Sequence, residues 1–256
     1  MKSVSSVDSA VDFVQSLDLP YAGPQLEGVA EPVTFSDKPE VATVGAQVTE
    51  FSAQVAPPQR AAVADCLLLA QLAANKATTG NPDQMAWYRK YVEVLQNIGW
   101  TVEEMTLQER QLEDTGLDVH KAIIPVLAAV LGPAVAVASM IIAVLKGLQE
   151  MDSSSPWITL FDRASQHASG ATFQFGYVDA TPGADPAIAI KLLAVAIDAN
   201  RTITQVLFFK ISNQESKLRT ADGRLGIVGS RLDSIKGAVA DRVLPFLADN
   251  ISKLDL

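Results

Sequence analysis

The sequence feature that most constrains the fold is an uncharged apolar run from Ala122 to Leu145. Ser139 is its only hydroxyl-bearing side chain, and Lys121 and Lys146 stand at its two ends. A helix of about 20 residues, at about 1.5 Å per residue, is long enough to cross the hydrocarbon core of a bilayer. The run must therefore be covered by protein, by lipid, or by each in turn.

Two properties of the run argue against a permanent membrane span. Pro125 and the pair Gly132-Pro133 interrupt it, and alanine, which is frequent here, drives insertion much less than leucine or isoleucine. Three interpretations remain open. The run is a buried central helix, kinked or broken at Gly132-Pro133 and covered by other helices; it is a hidden element that inserts conditionally; or it spans a membrane constitutively.

The candidates for membrane insertion are the apolar side chains of the run together with its Gly-Pro pair. They are Ala122, Ile123, Ile124, Val126, Leu127, Val130, Leu131, Gly132, Pro133, Val135, Val137, Met140, Ile141, Ile142, Val144 and Leu145.

Composition narrows the classes of partner. The net charge of -9 makes binding to a phosphate backbone unfavourable, so no nucleic-acid partner is expected. Hydrophobic residues make up 48% of the chain and charged residues 19%, which indicates one unusually apolar element in an ordinary globular protein. Cys66 is the only cysteine, so the fold needs no internal disulfide, and we interpret Cys66 as a small buried apolar residue.

The amino-terminal half is predicted to be helical. Residues 1–36 read as an irregular arm with a short helix over 7–17, and residues 37–151 as a helical bundle around the apolar run. Asp37 and Pro39 predict a helix start, and apolar residues follow at spacings of three and four: Val41, Val44, Val48, Phe51 and Val55.

Two further helices are predicted in this half. The first covers about residues 58–76 and is apolar on most sides, which is typical of a buried helix. The second has Asn81 as its cap and Pro82 at its first position, and it ends at Gly99. Its stripe of Trp87 and tyrosines is interpreted as core rather than as a binding face. A short strand or helical turn begins at Trp100, followed by a polar connector to about residue 115.

The carboxy-terminal segment, residues 152–256, is predicted to form an antiparallel β meander and a final helix. Phe173, Phe175 and Tyr177 alternate with polar or small residues, the pattern of a strand with one buried face. Strands are further predicted at 187–198, where a helix is the alternative, and at 206–209 and 217–219. Asp222-Gly223 predicts a hairpin turn, and a helix is predicted from about Ser230 to Pro245. The fold class is therefore α+β, with 37–151 and 152–256 as two units or one combined domain.

The sequence contains no recognisable catalytic motif. It lacks the phosphate-binding glycine loop, the dinucleotide fingerprint and the nucleophile elbow, and its two histidines are far apart, so neither a cofactor nor a metal is expected. Asp162, Ser165 and His167 are neighbours in sequence, but a catalytic triad is defined by geometry. His120 is interpreted as a polar residue at a helix end, with a pH sensor as the alternative. An enzyme is therefore not the favoured class.

The plan of amphipathic helices sheltering one apolar helical segment resembles α-helical pore-forming toxins over residues 37 to 149, although no family-specific motif is present. This implies a membrane-active, insecticidal-type or other pore-forming toxin in which the run inserts into lipid and the chain oligomerises. In that case the meander would contact receptor, lipid or subunits. The alternative is a structural or interaction protein, such as a self-assembling subunit or a secretion-system cargo, with the run as core. The amino terminus does not resemble a secretory signal, which predicts synthesis in the cytoplasm and release by a non-classical route.

Overall fold

A mixed sheet of eight strands runs through the computed structural model, which describes residues 6–22, 33–80, 83–106, 116–167, 170–199, 203–211 and 216–254. The strands are β1 (Glu40–Val44), β2 (Gln47–Phe51), β3 (Thr101–Thr106), β4 (Gln166–His167), β5 (Gly170–Ala180), β6 (Ala187–Ala199), β7 (Ser216–Val228) and β8 (Ile251–Lys253). Their order is β3-β7-β6-β5-β2-β1-β8, with β4 paired to β5. The β2–β5 pair is parallel, and the other pairs are antiparallel. The fold is therefore mixed α and β, as predicted.

Helices cover both faces of this sheet. They are α1 (Val7–Ser16), α2 (Pro57–Ala77), α3 (Gln84–Ile98), α4 (Val119–Leu131), α5 (Pro133–Ala138), α6 (Met140–Gly147), α7 (Pro156–Ser165), α8 (Gly229–Val243) and α9 (Leu247–Asn250). On one face α1, α2, α3 and α8 pack together, and on the other lie α4, α6 and α7. The protein thus has three layers and two hydrophobic clusters, one on each side of the sheet.

Strand β6 shows how one segment serves both clusters. Leu193, Val195 and Ile197 belong to the cluster under α4, α6 and α7, whereas Ile190 and Leu192 belong to the opposite cluster. A strand covered on both faces is apolar at successive positions, which blurs the two-residue period. The preference for a strand over residues 187–198 is confirmed.

The helix predicted from Asp37 to Val55 is wrong, because this segment forms the hairpin of β1 and β2. Val41 and Val48 face one cluster, and Val44 and Phe51 face the other. Apolar residues recur here at spacings of three and four because both faces of the hairpin are buried, and not because one face of a helix is buried. The two-residue turn includes Gly45, whose φ of 54° favours glycine.

The predicted bundle around the apolar run is not found among the described residues. A sheet face lies on its inner side instead, since α4 contacts β6 and α6 contacts β1 and β2. The sheet combines strands from residues 37–151 and from residues 152–256.

Two predictions for the carboxy-terminal strands are also wrong. Residues 206–209 form turns rather than a strand. Asp222-Gly223 makes no hairpin turn, because both residues lie inside the continuous strand β7, opposite Leu193 and Leu192 of β6. A Cβ atom at Gly223 would lie 3.1 Å from the hydroxyl of Tyr88, so glycine serves close packing here.

Several helix predictions are confirmed. Helix α2 matches the predicted helix at 58–76, and α8 occupies the region predicted from about Ser230 to Pro245. Helix α3 ends at Gly99, which has a left-handed φ of 114°, as the sequence indicated. Its predicted start is wrong, because Asp83 rather than Asn81 caps α3 by accepting a hydrogen bond from the Met85 amide; Asn81 and Pro82 themselves lie outside the described residues. Helix α7, which begins at Pro156, was not predicted.

Candidate functional site: the apolar helical layer

The run from Ala122 to Leu145 forms most of three consecutive helices, α4, α5 and α6, which we call the apolar helical layer. The predicted break at Gly132-Pro133 is confirmed, with a φ of 83° at Gly132. A second break, not predicted, lies at Ser139, whose hydroxyl accepts a hydrogen bond from the Ile142 amide. Among the helices of the described ranges, none combines the length and the apolar character needed to cross a bilayer.

The inner side of the layer is part of the protein core. Nine of the insertion candidates are buried, and these are Ala122, Ile123, Val126, Leu127, Leu131, Ile141, Ile142, Val144 and Leu145. They join the sheet residues Phe173 and Phe175 in one hydrophobic cluster. Full burial of one large aliphatic side chain contributes about 1.5–3 kcal/mol, so these contacts hold the layer on the sheet.

The outer side of the layer is apolar but open to solvent. Every residue of α5 is exposed or half-buried, and Val137 is 91% exposed. Pro133 is also exposed, whereas the candidates Ile124, Val130, Gly132, Val135 and Met140 are half-buried. Between the three helices lies an open groove of about 690 Å³, whose lining includes Ala128, Ala136, Ala143 and Lys146. The layer therefore presents an apolar surface outwards as well as inwards.

Two charged side chains of the sheet contact the layer at its breaks. Glu50 of β2 is 4% exposed, and its Oε2 atom accepts hydrogen bonds from the Ser139 hydroxyl at 2.7 Å and the Ile141 amide at 3.1 Å. Lys191 of β6 donates from Nζ to the carbonyl oxygen of Leu131 at 2.6 Å. A carboxylate thus lies at the start of α6 and an ammonium group at the end of α4, and both signs suit the helix dipoles.

These two charges lie in one row across the sheet. Tyr177 of β5 is in register with Glu50 on one side and with Lys191 on the other. Burial raises the pKa of Tyr177, and the neighbouring carboxylates of Asp179 and Glu50 raise it further. Tyr177 is therefore neutral at physiological pH and separates the two charges.

The first turn of α4 is fixed by residues 203–211. His120 is 1% exposed, its Nδ1 atom lies 2.8 Å from the carbonyl oxygen of Leu207, and its ring meets Phe208 edge to face. Asp162 of α7 accepts a hydrogen bond from the Val206 amide at 2.8 Å, and burial raises the pKa of Asp162 to about 6. Segment 203–211 thereby connects α7 to α4. His120 lies in the first turn of α4, as interpreted from the sequence, and its alternative role as a pH sensor stays untested.

The sequence neighbours Asp162, Ser165 and His167 do not form a catalytic relay. The Ser165 hydroxyl is buried, and it has no hydrogen-bond partner among the described residues. His167 lies on β4 and is exposed. A nucleophilic serine needs a hydrogen bond to its base, so this geometry does not support acyl transfer.

Other candidate groups also lie in the core. Within the described ranges, no three histidine, cysteine, aspartate or glutamate side chains meet as a metal site. Cys66 is fully buried, and burial raises the pKa of its thiol to about 12, which confirms the interpretation as an inert apolar residue. Trp87, Tyr88 and Tyr91 are each at most 4% exposed, so the aromatic stripe of α3 is core, as predicted.

Sequence reasoning missed Glu50 and Lys191, although each leaves a signal. Lys191 is the only charge in the apolar stretch Ala187–Ile197, and Glu50 stands between the apolar β2 residues Val48 and Phe51. A single charge inside an apolar strand needs a specific partner, because an unpaired buried charge is strongly unfavourable. What the sequence could not indicate was the identity of those partners.

Comparison with known proteins gives little further guidance. No protein-family pattern matches the chain, and no match is found among curated proteins. A solved structure named delta-endotoxin is similar over 81% of this chain and 90% of its own length, with 14% sequence identity and a TM-score of 0.34. A similarity of this size supports no statement about function.

Proposed function

We propose that this chain is a membrane-active protein, of the pore-forming or insecticidal toxin type, whose apolar helical layer leaves the sheet and enters lipid. The observation that carries the proposal is the exposure of α5, an entirely apolar helix on the protein surface. Exposed contiguous apolar patches on soluble proteins mark sites of contact with membranes or other proteins. Because the run carries no charge, lipid is a suitable environment for both of its sides.

The transfer requires the inner side of the layer to exchange one apolar environment for another. Residues such as Ile141 and Leu127 are buried against the sheet before transfer and would be buried in acyl chains after it. The hydrophobic contribution of these side chains is therefore largely retained. The contacts that the transfer disrupts are polar, namely those of the backbone groups at the Gly132 and Ser139 breaks.

Those backbone groups also imply self-association. In the hydrocarbon core, unsatisfied backbone N–H and C=O groups each cost several kcal/mol, and lipid cannot satisfy them. The helices of the layer are each too short to span alone, and their ends must find partners. Homo-oligomers formed at the membrane would supply such partners, so we propose that the active form is oligomeric.

Release of a trapped dye from liposomes tests the proposal, with a charged substitution as the probe. Val137→Asp places a carboxylate on α5 at a position that is 91% exposed, so the folded protein should keep its thermal stability. An aspartate at the centre of a bilayer costs about 2.5–3.5 kcal/mol, and dye release should fall roughly 100-fold.

Leu244→Asp is the matched control, since Leu244 is also exposed but lies beyond α8, on the opposite side of the sheet. It should release dye as fast as the wild type. Absence of release by the wild type at every pH and lipid composition would refute membrane activity. If the wild type forms oligomers without lipid and Val137→Asp abolishes them, the exposed apolar surface of α5 would instead serve contacts between protein chains.

A further inference from the structure

Glu50 and Lys191 meet the apolar helical layer at its two breaks, and both belong to the sheet rather than to the layer. We propose that these two side chains form an electrostatic latch, which sets how often the layer opens away from the sheet. The latch is a property of the protein alone, and its consequence for membranes rests on the proposed function.

The Glu50 contact is the stronger half of the latch. One oxygen of a carboxylate that is 4% exposed accepts two hydrogen bonds, from the Ser139 hydroxyl and the Ile141 amide. Hydrogen bonds to a charged acceptor are about twice as strong as neutral ones, and burial next to a helix N-terminus strengthens them further. The Ser139 hydroxyl also accepts from the Ile142 amide, so Glu50 and Ser139 together provide acceptors for two amides in the first turn of α6.

The Lys191 contact completes the latch at the other break. Its ammonium group donates to the carbonyl of Leu131, the last residue of α4, which has no partner later in the same helix. A cation suits this helix end as an anion suits the start of α6. One side chain therefore holds each side of the α5 helix, and α5 itself makes neither of the two latch contacts.

The location of the charges distinguishes a latch from ordinary core packing. Glu50 is 89 residues from Ser139, and Lys191 is 60 residues from Leu131, so neither contact persists once the layer leaves. Both charges then stay on the sheet and become hydrated. The departing segment from Ala122 to Leu145 carries no charge into the next environment. The latch thus stabilises the closed form without placing a charge in the segment that enters lipid.

Hydrogen–deuterium exchange of the whole protein, without lipid, tests the latch. Glu50→Gln keeps the shape of the side chain but removes its charge, and Lys191→Met does the same for the second contact. Each should raise amide exchange in residues 119–147 about tenfold, and the double variant more, because charge-assisted contacts are lost. Exchange in α2, on the other side of the sheet, should stay unchanged.

Glu104→Gln and Lys217→Met are matched controls, because both residues are exposed on sheet strands. Neither should change exchange in residues 119–147. If Glu50→Gln does not fold, Ser139→Ala removes one donor while keeping the carboxylate, and it should raise exchange about threefold. Unchanged exchange in residues 119–147, or an equal rise in α2, would overturn the latch.

Dye release by the same variants separates the latch from the proposed function. If both hold, Glu50→Gln and Lys191→Met release dye faster than the wild type. Faster exchange with no release from any liposome would refute the membrane role and leave the latch intact. Release by the wild type with no change in exchange in the variants would refute the latch alone.

Discussion

Asp65 on α2 should make the protein less stable at pH 7 than at pH 5. Burial raises the pKa of this carboxyl from 3.8 to about 6 in the folded protein, because the charged form loses hydration. The folded state therefore binds the proton more tightly than the unfolded chain does. The stabilising contribution is fully present below about pH 3.8 and is lost as the pH rises through about 6.

The magnitude follows from these two pKa values. Relative to a site with an ordinary pKa, the raised pKa of Asp65 costs the folded state about 3 kcal/mol at pH 7 and roughly half of that at pH 5. Asp65→Asn removes the ionisation while keeping the size of the side chain. The variant should be more stable than the wild type at pH 7, and its advantage should be smaller at pH 5 by about 1 kcal/mol.

Urea unfolding at both pH values, followed by tryptophan fluorescence, measures this difference. Asp12→Asn is the control for the same chemical change at an exposed position of α1. An advantage of Asp65→Asn that is the same at pH 5 and pH 7, or a loss of stability at pH 7, would refute the reasoning. Confirmation would mean that protonation of Asp65 in mild acid stabilises the folded protein around α2 rather than opening it.

Three further substitutions test the packing on the two sides of the sheet. Arg60→Met should destabilise the protein by about 3–5 kcal/mol in urea unfolding, since the fully buried guanidinium donates to carbonyls such as that of Val55. A loss of stability below about 1 kcal/mol would contradict this role. Phe173→Ala should cost about 3–5 kcal/mol through a cavity beside Phe161, and an unchanged urea midpoint would contradict it. Gly99→Ala should lower the thermal midpoint, because φ is 114° and a Cβ would collide with Arg231; an unchanged midpoint would show that the helix end relaxes.

Much of the secondary structure followed from local signals in the sequence. Helix α3 ends at Gly99 because a left-handed residue is easiest for glycine, and this holds in any tertiary context. The hairpin of β1 and β2 was missed because its pattern depends on what covers each face. Burial of both Val41 and Val44 produced apolar spacings that also fit a helix.

The turn prediction at Asp222-Gly223 failed for a related reason. This dipeptide is typical of hairpins in isolation, but here 13 residues of β7 pair continuously with β6. Long-range pairing and the close approach of Tyr88 account for the glycine instead. No window of local sequence contains that information.

The candidate site shows the same division between local and distant information. The apolar run and its break at Gly132-Pro133 were visible in the sequence, since proline and glycine act locally. The side chain that binds the backbone at this break was not visible in the sequence, because Lys191 is 60 residues away from Leu131 along the chain. Lone charges in apolar strands are therefore useful markers for such contacts in other sequences.

The edges of the sheet bear on how copies of this chain can associate. Unpaired strand edges invite addition of further strands, and short or charged edge strands prevent it. At one edge β8 has only three residues, and Lys253 forms a 3.0 Å salt bridge with Glu40. At the other edge β3 carries exposed Glu103 and Glu104. Self-association through these sheet edges is thus disfavoured, so the oligomers that we propose would use another surface, such as the outer side of the apolar helical layer.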